Sequence, residues 1–186
     1  MRTREALLDA AGQAVIAHGA TVSLEVIARE AGVSKGGLLH HFSSKEDLLV
    51  AVAEQVLARF RAAVEEALDP DDTGPGRLVR AYVRTSLQQL EASQVRDEAT
   101  LMAALGAIPE VVSRARADGR AWRAALREDG LDPVRTSVIV RAADGAAAAT
   151  LFEGQLDQDE IDELRCELVA LSRDPAPLRA PRTAPV

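Results

Sequence analysis

Along most of the chain, apolar residues recur at every third or fourth position, which is the spacing of one face of an amphipathic helix. Glycine, proline and short polar clusters interrupt this spacing and predict where each helix ends. No strand and no internal repeat stands out. The pattern predicts an all-α fold of about nine helices, which cover roughly 3–18, 23–31, 34–42, 44–68, 77–92, 97–105, 109–129, 133–152 and 157–171.

The second and third of these helices are short, and only Gly32 and Val33 separate them. Ser23 and Ser34 are suited to cap their first turns. Two short helices joined by a tight turn form a helix-turn-helix unit, whose second helix enters the major groove of DNA. The pattern therefore predicts a three-helix head of this kind, followed by a larger helical body.

The segment 34–42 is a poor helix by intrinsic propensity. Its adjacent glycines, Gly36 and Gly37, cost about 1 kcal/mol each relative to alanine, and Lys35 lies near the positive end of the helix dipole. Glycines let another backbone come close, and a lysine beside free N–H groups suits an anion. A DNA phosphate backbone would explain why such a segment is tolerated.

A longer ordered motif surrounds this segment. It comprises Ile27-Ala-Arg-Glu-Ala-Gly-Val-Ser-Lys-Gly36, Leu38, His41-Phe42 and Ser44-Lys-Glu-Asp-Leu-Leu49. In this order the motif resembles the TetR family of one-component transcriptional repressors, over about residues 4–50. The rest of the chain is similar to that family only in layout. The resemblance implies a helix-turn-helix DNA-binding domain at 1–47 and a helical effector-binding and dimerisation domain at 48–172, and the prolines beyond predict a disordered tail at 173–186.

The resemblance also implies which residues contact DNA. Lys35 and Lys45 would neutralise phosphates, which fix register rather than sequence. Leu39 stands where the family most often has tyrosine, and Glu25 where some members carry a basic residue that reads guanine. Such a glutamate could accept from cytosine N4 or be merely exposed. The candidate DNA-binding residues are Ser23, Ser34, Lys35, Gly36, Gly37, Leu39, His40, His41 and Lys45.

A homodimer is expected through the helices near 132–152 and 157–172. The small residues at 142–149 allow two helices to approach closely, and the last helix adds a leucine-rich face. An intramolecular core is the alternative use of both. A two-fold dimer requires a roughly palindromic double-stranded DNA operator.

A small-molecule effector would bind within the fifth to eighth helices. A mostly apolar wall with a few polar groups is what such a site needs, although Trp122 and Met102 could equally be plain core. Asp144, an acid among alanines, could meet a ligand, pair with Arg141 or face solvent. The candidate lining residues are Tyr82, Ser86, Met102, Leu105, Trp122, Leu126 and Asp144.

The net charge of −7 does not by itself indicate nucleic-acid binding. Residues 1–47 carry five basic and six acidic side chains, so most of the acidity belongs to the body. The single cysteine, Cys166, forbids an internal disulfide. No signal peptide and no apolar run of membrane-spanning length is present, so we expect a cytoplasmic protein.

The main rival class, an enzyme, has little support. The sequence has no glycine-rich phosphate cradle, no His-Glu-x-x-His and no paired cysteines. Cys166 is expected to be a small apolar filler, and the neighbouring His40 and His41 point too far apart to share one metal. We therefore predict no cofactor, metal or catalytic residue. The expected function is a repressor released from DNA by an effector that shifts the fourth helix, and the alternative is a DNA-binding regulator without an effector.

Overall fold

A computed structural model describes residues 4–90, 93–149, 156–174 and 176–178. Within these ranges the secondary structure consists of nine α-helices and no strand, which confirms the predicted all-α class. The helices are α1 (Arg4–His18), α2 (Leu24–Glu30), α3 (Lys35–His41), α4 (Lys45–Glu66), α5 (Arg77–Leu90), α6 (Ser93–Leu105), α7 (Pro109–Glu128), α8 (Pro133–Ala149) and α9 (Gln158–Arg173). None of these described helices combines the length and the apolar character needed to cross a bilayer.

Most helix bounds lie within two residues of the prediction, and one is wrong. The sixth helix begins at Ser93, about four residues before the predicted start at Asp97. An acidic residue is favoured near a helix start, but here Asp97 already lies one turn inside the helix. The predicted ends of the fifth helix at Ala92 and of the eighth at Phe152 lie outside the described residues.

The first compact unit comprises residues 1–60 and 96–119. In it α1 packs on α2, and α2 packs on α3. The apolar stripes predicted for the first four helices meet in one core, which α6 and the start of α7 complete. Its largest fully covered members include Leu7, Val15, Ile27, Leu38, Leu48, Val52 and Leu105.

The second compact unit comprises residues 61–95 and 120–186. Helix α5 packs on both α8 and α9, and α8 packs on α9. The described part of α5 is buried on almost every side, so it forms the centre of this unit. Buried apolar residues of the unit include Val64, Val79, Val83, Leu87, Trp122, Leu126, Ile139, Ile161 and Leu168.

Arg80 is a buried charge that the sequence pattern did not reveal, since it is only 3% exposed. Its guanidinium donates to both carboxylate oxygens of Asp72 at 2.6 Å each, and to the carbonyls of Pro75 and Ser172 at 2.9 and 3.1 Å. The Asp72 pKa is lowered because its carboxylate accepts these bonds. The arginine thus fastens the 69–76 connection to the end of α9.

Gly76 shows why this connection needs a glycine. Its φ is +82°, and a Cβ at this position would lie 2.8 Å from the Ser172 carbonyl oxygen and 2.9 Å from Arg80 Nη1. Its N–H donates to the Asp129 carbonyl at 3.0 Å. A side chain would therefore clash with a backbone carbonyl and the buried arginine at once.

Arg135 on α8 is a second buried arginine. It donates to the carbonyls of Leu171 and Ala176 at 3.0 and 3.1 Å and to Asp174 Oδ2 at 2.9 Å. These bonds hold the chain at Asp174 and Ala176, within the part that we predicted to be a loose tail. The rest of that predicted tail, 175 and 179–186, lies outside the described residues.

The contact-based division differs from the predicted boundary between residues 47 and 48. Helices α4, α6 and α7 each contribute residues to both compact units. The predicted boundary concerns the roles of the segments rather than their contacts, so it stays a prediction.

Candidate nucleic-acid interface

The turn between α2 and α3 is built by local capping, as predicted. Ser23 Oγ accepts from the Val26 N–H at 3.3 Å, and Ser34 Oγ accepts from the Gly37 N–H at 3.0 Å. Gly32 adopts a φ of +67° between the helices, a conformation that side chains disfavour. These contacts fix how α3 follows α2.

Helix α3 has two distinct sides. Leu38 is completely buried, and Phe42 at the C-cap is 2% exposed. The guanidinium of Arg4 lies over the Phe42 ring at 5.2 Å. The two apolar anchors hold α3 against the core and leave its other side open.

The open side of α3 carries most of the predicted DNA-binding residues. Leu39 is 39% exposed. His41 and Lys45 are partly covered. The exposed members are Ser23, Ser34, Lys35, Gly36, Gly37, Leu39 and His40.

The two glycines of α3 differ in their surroundings, because a side chain would have room at Gly36 but a tight contact at Gly37. A Cβ at Gly36 would have only Ser34 Oγ near it, at 4.0 Å, and one at Gly37 would lie 3.3 Å from the same oxygen. Internal packing therefore does not require a glycine at position 36. A glycine at this position would let an outside partner come close to the backbone.

An ion pair joins Lys35 to Glu25, and the sequence reading did not foresee it. Lys35 Nζ donates to Glu25 Oε1 at 2.6 Å, and both side chains are exposed. The hydrogen bond from Lys35 lowers the pKa of Glu25. The lysine that we assigned to a phosphate already has an anionic partner within the chain.

The start of α4 is fixed by a reciprocal cap. Ser44 Oγ accepts from the Asp47 N–H at 3.0 Å, and Asp47 Oδ2 accepts from the Ser43 N–H at 2.9 Å. In a capping box the acid reaches back to the N–H of the N-cap residue, which here would be Ser44, so the return bond is displaced by one residue. Lys45 is the first helical residue, beside this cap.

Three of the predicted effector residues meet in the second unit. Tyr82 donates its hydroxyl to Asp144 Oδ1 at 2.6 Å, and its ring stands edge-on to Trp122 with 5.2 Å between centroids. Arg61 covers the Trp122 ring at 4.5 Å. Asp144 also pairs with Arg141 at 3.4 Å. The sequence left open whether Asp144 meets a ligand, pairs with Arg141 or faces solvent. In the structure it is bonded to Tyr82 and paired with Arg141.

The other predicted effector residues lie apart from this group. Ser86 and Leu126 are buried in the second unit. Leu105 is fully buried in the core of the first unit, with Met102 packed against that core. The seven residues are therefore not gathered into one described site.

The predicted dimer helices present an uneven surface. On α8, Val134, Val138, Arg141 and Gly145 are all exposed and follow one another at helical spacing, and we call these four residues the α8 stripe. Part of the leucine-rich face of α9 serves the chain's own core, which is the alternative that the sequence left open. The buried members are Ile161 and Leu168, whereas Leu171 is 36% exposed.

The described part of the chain contains no candidate metal site, and its cysteine is exposed. No three His, Cys, Asp or Glu side chains there are grouped so as to hold a metal ion. Cys166 is exposed, so the prediction that it fills the core is wrong. Its place on the outer side of α9 explains this, because the inner side is occupied by Ile161 and Leu168.

The comparisons with known proteins agree with this architecture. Residues 7–52 match the family described as bacterial regulatory proteins, tetR family, and residues 76–173 match the tetracyclin repressor-like C-terminal domain. The HTH-type transcriptional regulator BetI of Rhizobium meliloti (strain 1021) is 37% identical over 86 residues, 46% of this chain and 42% of that protein. RutR of Escherichia coli (strain K12) is 39% identical over 71 residues, 38% and 32% respectively. The match thus spans less than half of these curated relatives.

Solved structures resemble the whole chain. A transcriptional regulator from Rhodococcus sp. Rha1 has a TM-score of 0.74 and 20% identity, covering 92% of this chain and 96% of that one. A member of the TetR family from Streptomyces coelicolor A3 has a TM-score of 0.65 and 25% identity, with coverages of 91% and 97%. With family matches over both the head and the body, the chain belongs to the TetR family of transcriptional regulators, which are not enzymes.

Proposed function

We propose that the protein is a homodimeric repressor that binds a roughly palindromic DNA operator and leaves it when a small molecule binds. The observation that carries the proposal is the open side of α3. That side presents two glycines, the polar side chains of Lys35 and His40, and the exposed Leu39. Leu38 and Phe42 are buried and anchor the helix. A short, rigidly held helix with a small, polar outer side suits the major groove.

The candidate contacts divide into positioning and reading. Ser34, Lys35, His41 and Lys45 lie around the ends of α3 and the start of α4, where they can reach phosphates and set the register. Gly37, Leu39 and His40 lie towards the base edges. The exposed Leu39 suits the methyl group of thymine, since an apolar side chain gains from that contact.

The pair of Lys35 and Glu25 gives this interface an internal competitor. A DNA phosphate that binds Lys35 must either displace the Glu25 carboxylate or draw this carboxylate towards the DNA together with the lysine. In the second case Glu25 would lie in the groove, where a carboxylate accepts from the amino group of cytosine. We propose that operator binding exchanges the internal ion pair for one to DNA.

Dimerisation is proposed through the α8 stripe. Two apolar residues, Val134 and Val138, lie in solvent one turn apart, and Gly145 has no heavy atom within 4 Å of an added Cβ. Exposed apolar surface followed by a side-chain-free position suits close packing of two helices. A two-fold axis through this face presents two α3 helices to two half-sites.

The effector is proposed to act in the second unit, near Tyr82, Trp122 and Asp144. An effector changes DNA affinity only as far as its own affinity differs between the DNA-binding and non-binding states. Helix α4 runs from Lys45 in the predicted DNA-binding segment to Glu66. We propose it as the element whose position the effector changes.

Selection of bound duplexes from a random pool tests the DNA-binding proposal. The expected result is an enriched inverted repeat, bound with an affinity that falls steeply as salt rises. Failure to retain any duplex at low salt would reject it. A screen of small molecules against the operator complex then tests release. If no effector releases the DNA, the regulator without an effector becomes the better description.

A further inference from the structure

An open pocket of about 480 Å³, called the cavity below, lies along α5 and α9, and none of the residues proposed for the effector lines it. Its lining consists of Arg84 and Gln88 on α5 and of Arg165, Cys166 and Val169 on α9. Arg84 and Gln88 are one helical turn apart, as are Arg165 and Val169, so two pairs of neighbouring side chains face one space. The volume is in the range of small-molecule sites in proteins.

The lining of this cavity includes two arginines and no acidic side chain. Arg165 pairs with Asp162 on its own helix, so its charge is largely matched. Arg84 is half-buried, and among the described residues it forms no ion pair and no hydrogen bond. A partly desolvated guanidinium without an anion carries a free-energy cost, which a bound anion relieves. Within the described part of the chain, the positive charge of Arg84 is therefore available to a ligand.

We propose that this cavity binds a small organic carboxylate. The planar guanidinium of Arg84 offers parallel N–H donors that match the two oxygens of a carboxylate, and the amide of Gln88 supplies a further donor. Val169 and the aliphatic stems of the two arginines give apolar surface for the rest of the ligand. The site is independent of the proposed function, because binding requires neither DNA nor the Tyr82 group.

Calorimetric titration of the full chain tests the site, with 2-naphthoate, octanoate and benzoate as probes. At least one carboxylate is expected to bind, and its uncharged amide to bind about tenfold weaker or worse, because the bonds to Arg84 are charge-assisted. Inorganic phosphate should bind more weakly than the best carboxylate, since it gains nothing from the apolar surface. No binding by any of the three carboxylates, or equal affinity for phosphate, would overturn the proposal.

Substitutions locate the binding on Arg84. Arg84→Gln should weaken the carboxylate about tenfold and leave the amide unchanged. Arg84→Lys keeps the charge but loses the paired donors, so an intermediate loss of carboxylate affinity is expected. This variant also provides the test if Arg84→Gln fails to fold. Arg123→Gln is the matched control, because Arg123 is exposed on α7 and has no partner among the described residues. An equal loss in the control would contradict the assignment.

Cys166 reports on the same place, since it is the only cysteine of the chain and lines the cavity. Its alkylation by iodoacetamide, followed by mass spectrometry, should slow when the carboxylate is added to the unsubstituted protein. In Arg84→Gln the same concentration should give no protection. A thiol that does not react without ligand would show that the cavity is covered in the assembled protein, and would also reject the site.

Discussion

Lys35 in the first turn of α3 and Glu25 in the first turn of α2 form an ion pair, with 2.6 Å between Lys35 Nζ and Glu25 Oε1. The pair lies on the surface that we propose for DNA. Since the lysine lowers the pKa of Glu25, the carboxylate remains charged at neutral pH. Every phosphate that approaches Lys35 therefore meets a negative charge that is already in place.

The first prediction concerns this competition. Glu25→Gln should raise affinity for a non-specific duplex by about two- to fivefold, the range expected when one exposed ion pair is lost, because Lys35 is then available to phosphate. Mobility-shift titrations at two salt concentrations measure it. Glu30→Gln is the matched control, since Glu30 is an exposed acid of the same helix that instead bonds His18 at 2.9 Å. An equal gain in the control would assign the effect to net charge.

Gly36→Ala should separate stability from DNA binding. An alanine is favoured over glycine in a helix by about 1 kcal/mol, and its Cβ has space here, so the melting temperature should rise. Operator affinity should nevertheless fall about tenfold or more, because the methyl group occupies the space that the DNA backbone needs. A stabilised variant that binds the operator as tightly as before would contradict the proposed close approach.

Lys45 and His40 should give contrasting patterns. Lys45→Ala is expected to weaken binding to all duplexes alike and to reduce the slope of log affinity against log salt by about 0.9. His40→Ala should instead change the ranking of operator variants, because a base-reading residue carries the preference. Titration of a set of operator variants at several salt concentrations distinguishes the two. An unchanged slope removes Lys45 from the phosphate contacts, and a uniform loss removes His40 from the reading residues.

Val138→Glu tests the α8 stripe. Two copies of a buried glutamate would face each other across a two-fold axis, so the dimer should dissociate into monomers at micromolar concentration. Sedimentation velocity measures this, and operator affinity should fall in parallel. Ala124→Glu places the same charge on an exposed position of α7 and should leave the dimer intact. A variant at 138 that sediments like the unsubstituted protein would move the interface elsewhere.

Glu98 gives a prediction on pH. Burial of this half-buried carboxyl raises its pKa above the usual 4.5, although Arg59 acts in the opposite direction. The folded state therefore holds the proton more tightly than the unfolded state, and stability falls as pH rises from about the usual value through the raised one. Glu98→Gln should remove this part of the pH dependence and raise the melting temperature near neutral pH by about 1–3 °C. Thermal melts from pH 4 to 7 check it, with the exposed Glu163→Gln expected to keep the slope.

Features that depend on neighbouring residues were predictable from the sequence. The cap of Ser34 on Gly37 spans three residues, and the buried sides of α3 and α4 follow from helical spacing. The family motif likewise lies in one continuous segment. The predicted DNA contacts are exposed or partly covered in the structure, but their roles stay predictions until a complex is tested.

Features made by distant residues were not predictable. Arg80 reaches a carbonyl 92 positions away, and Arg135 reaches one 41 positions away, so nothing near either arginine announces that it is buried. The same holds for the leucine-rich face of α9, because spacing shows which residues share a face but not whether that face meets its own chain or a second copy. The ion pair between Lys35 and Glu25 was not predicted for the same reason, since the two residues lie on different helices.

Trp122 has a practical consequence, because it is the only tryptophan in the chain. Its indole lies beneath the guanidinium of Arg61 and against the edge of Tyr82, so the intrinsic emission of the whole protein comes mainly from one spot in the second unit. Any compound that moves Arg61 or Tyr82 changes the tryptophan emission, so its binding can be followed without an added dye. The tryptophan emission of this regulator thus reports on the residues where we propose that its effector binds.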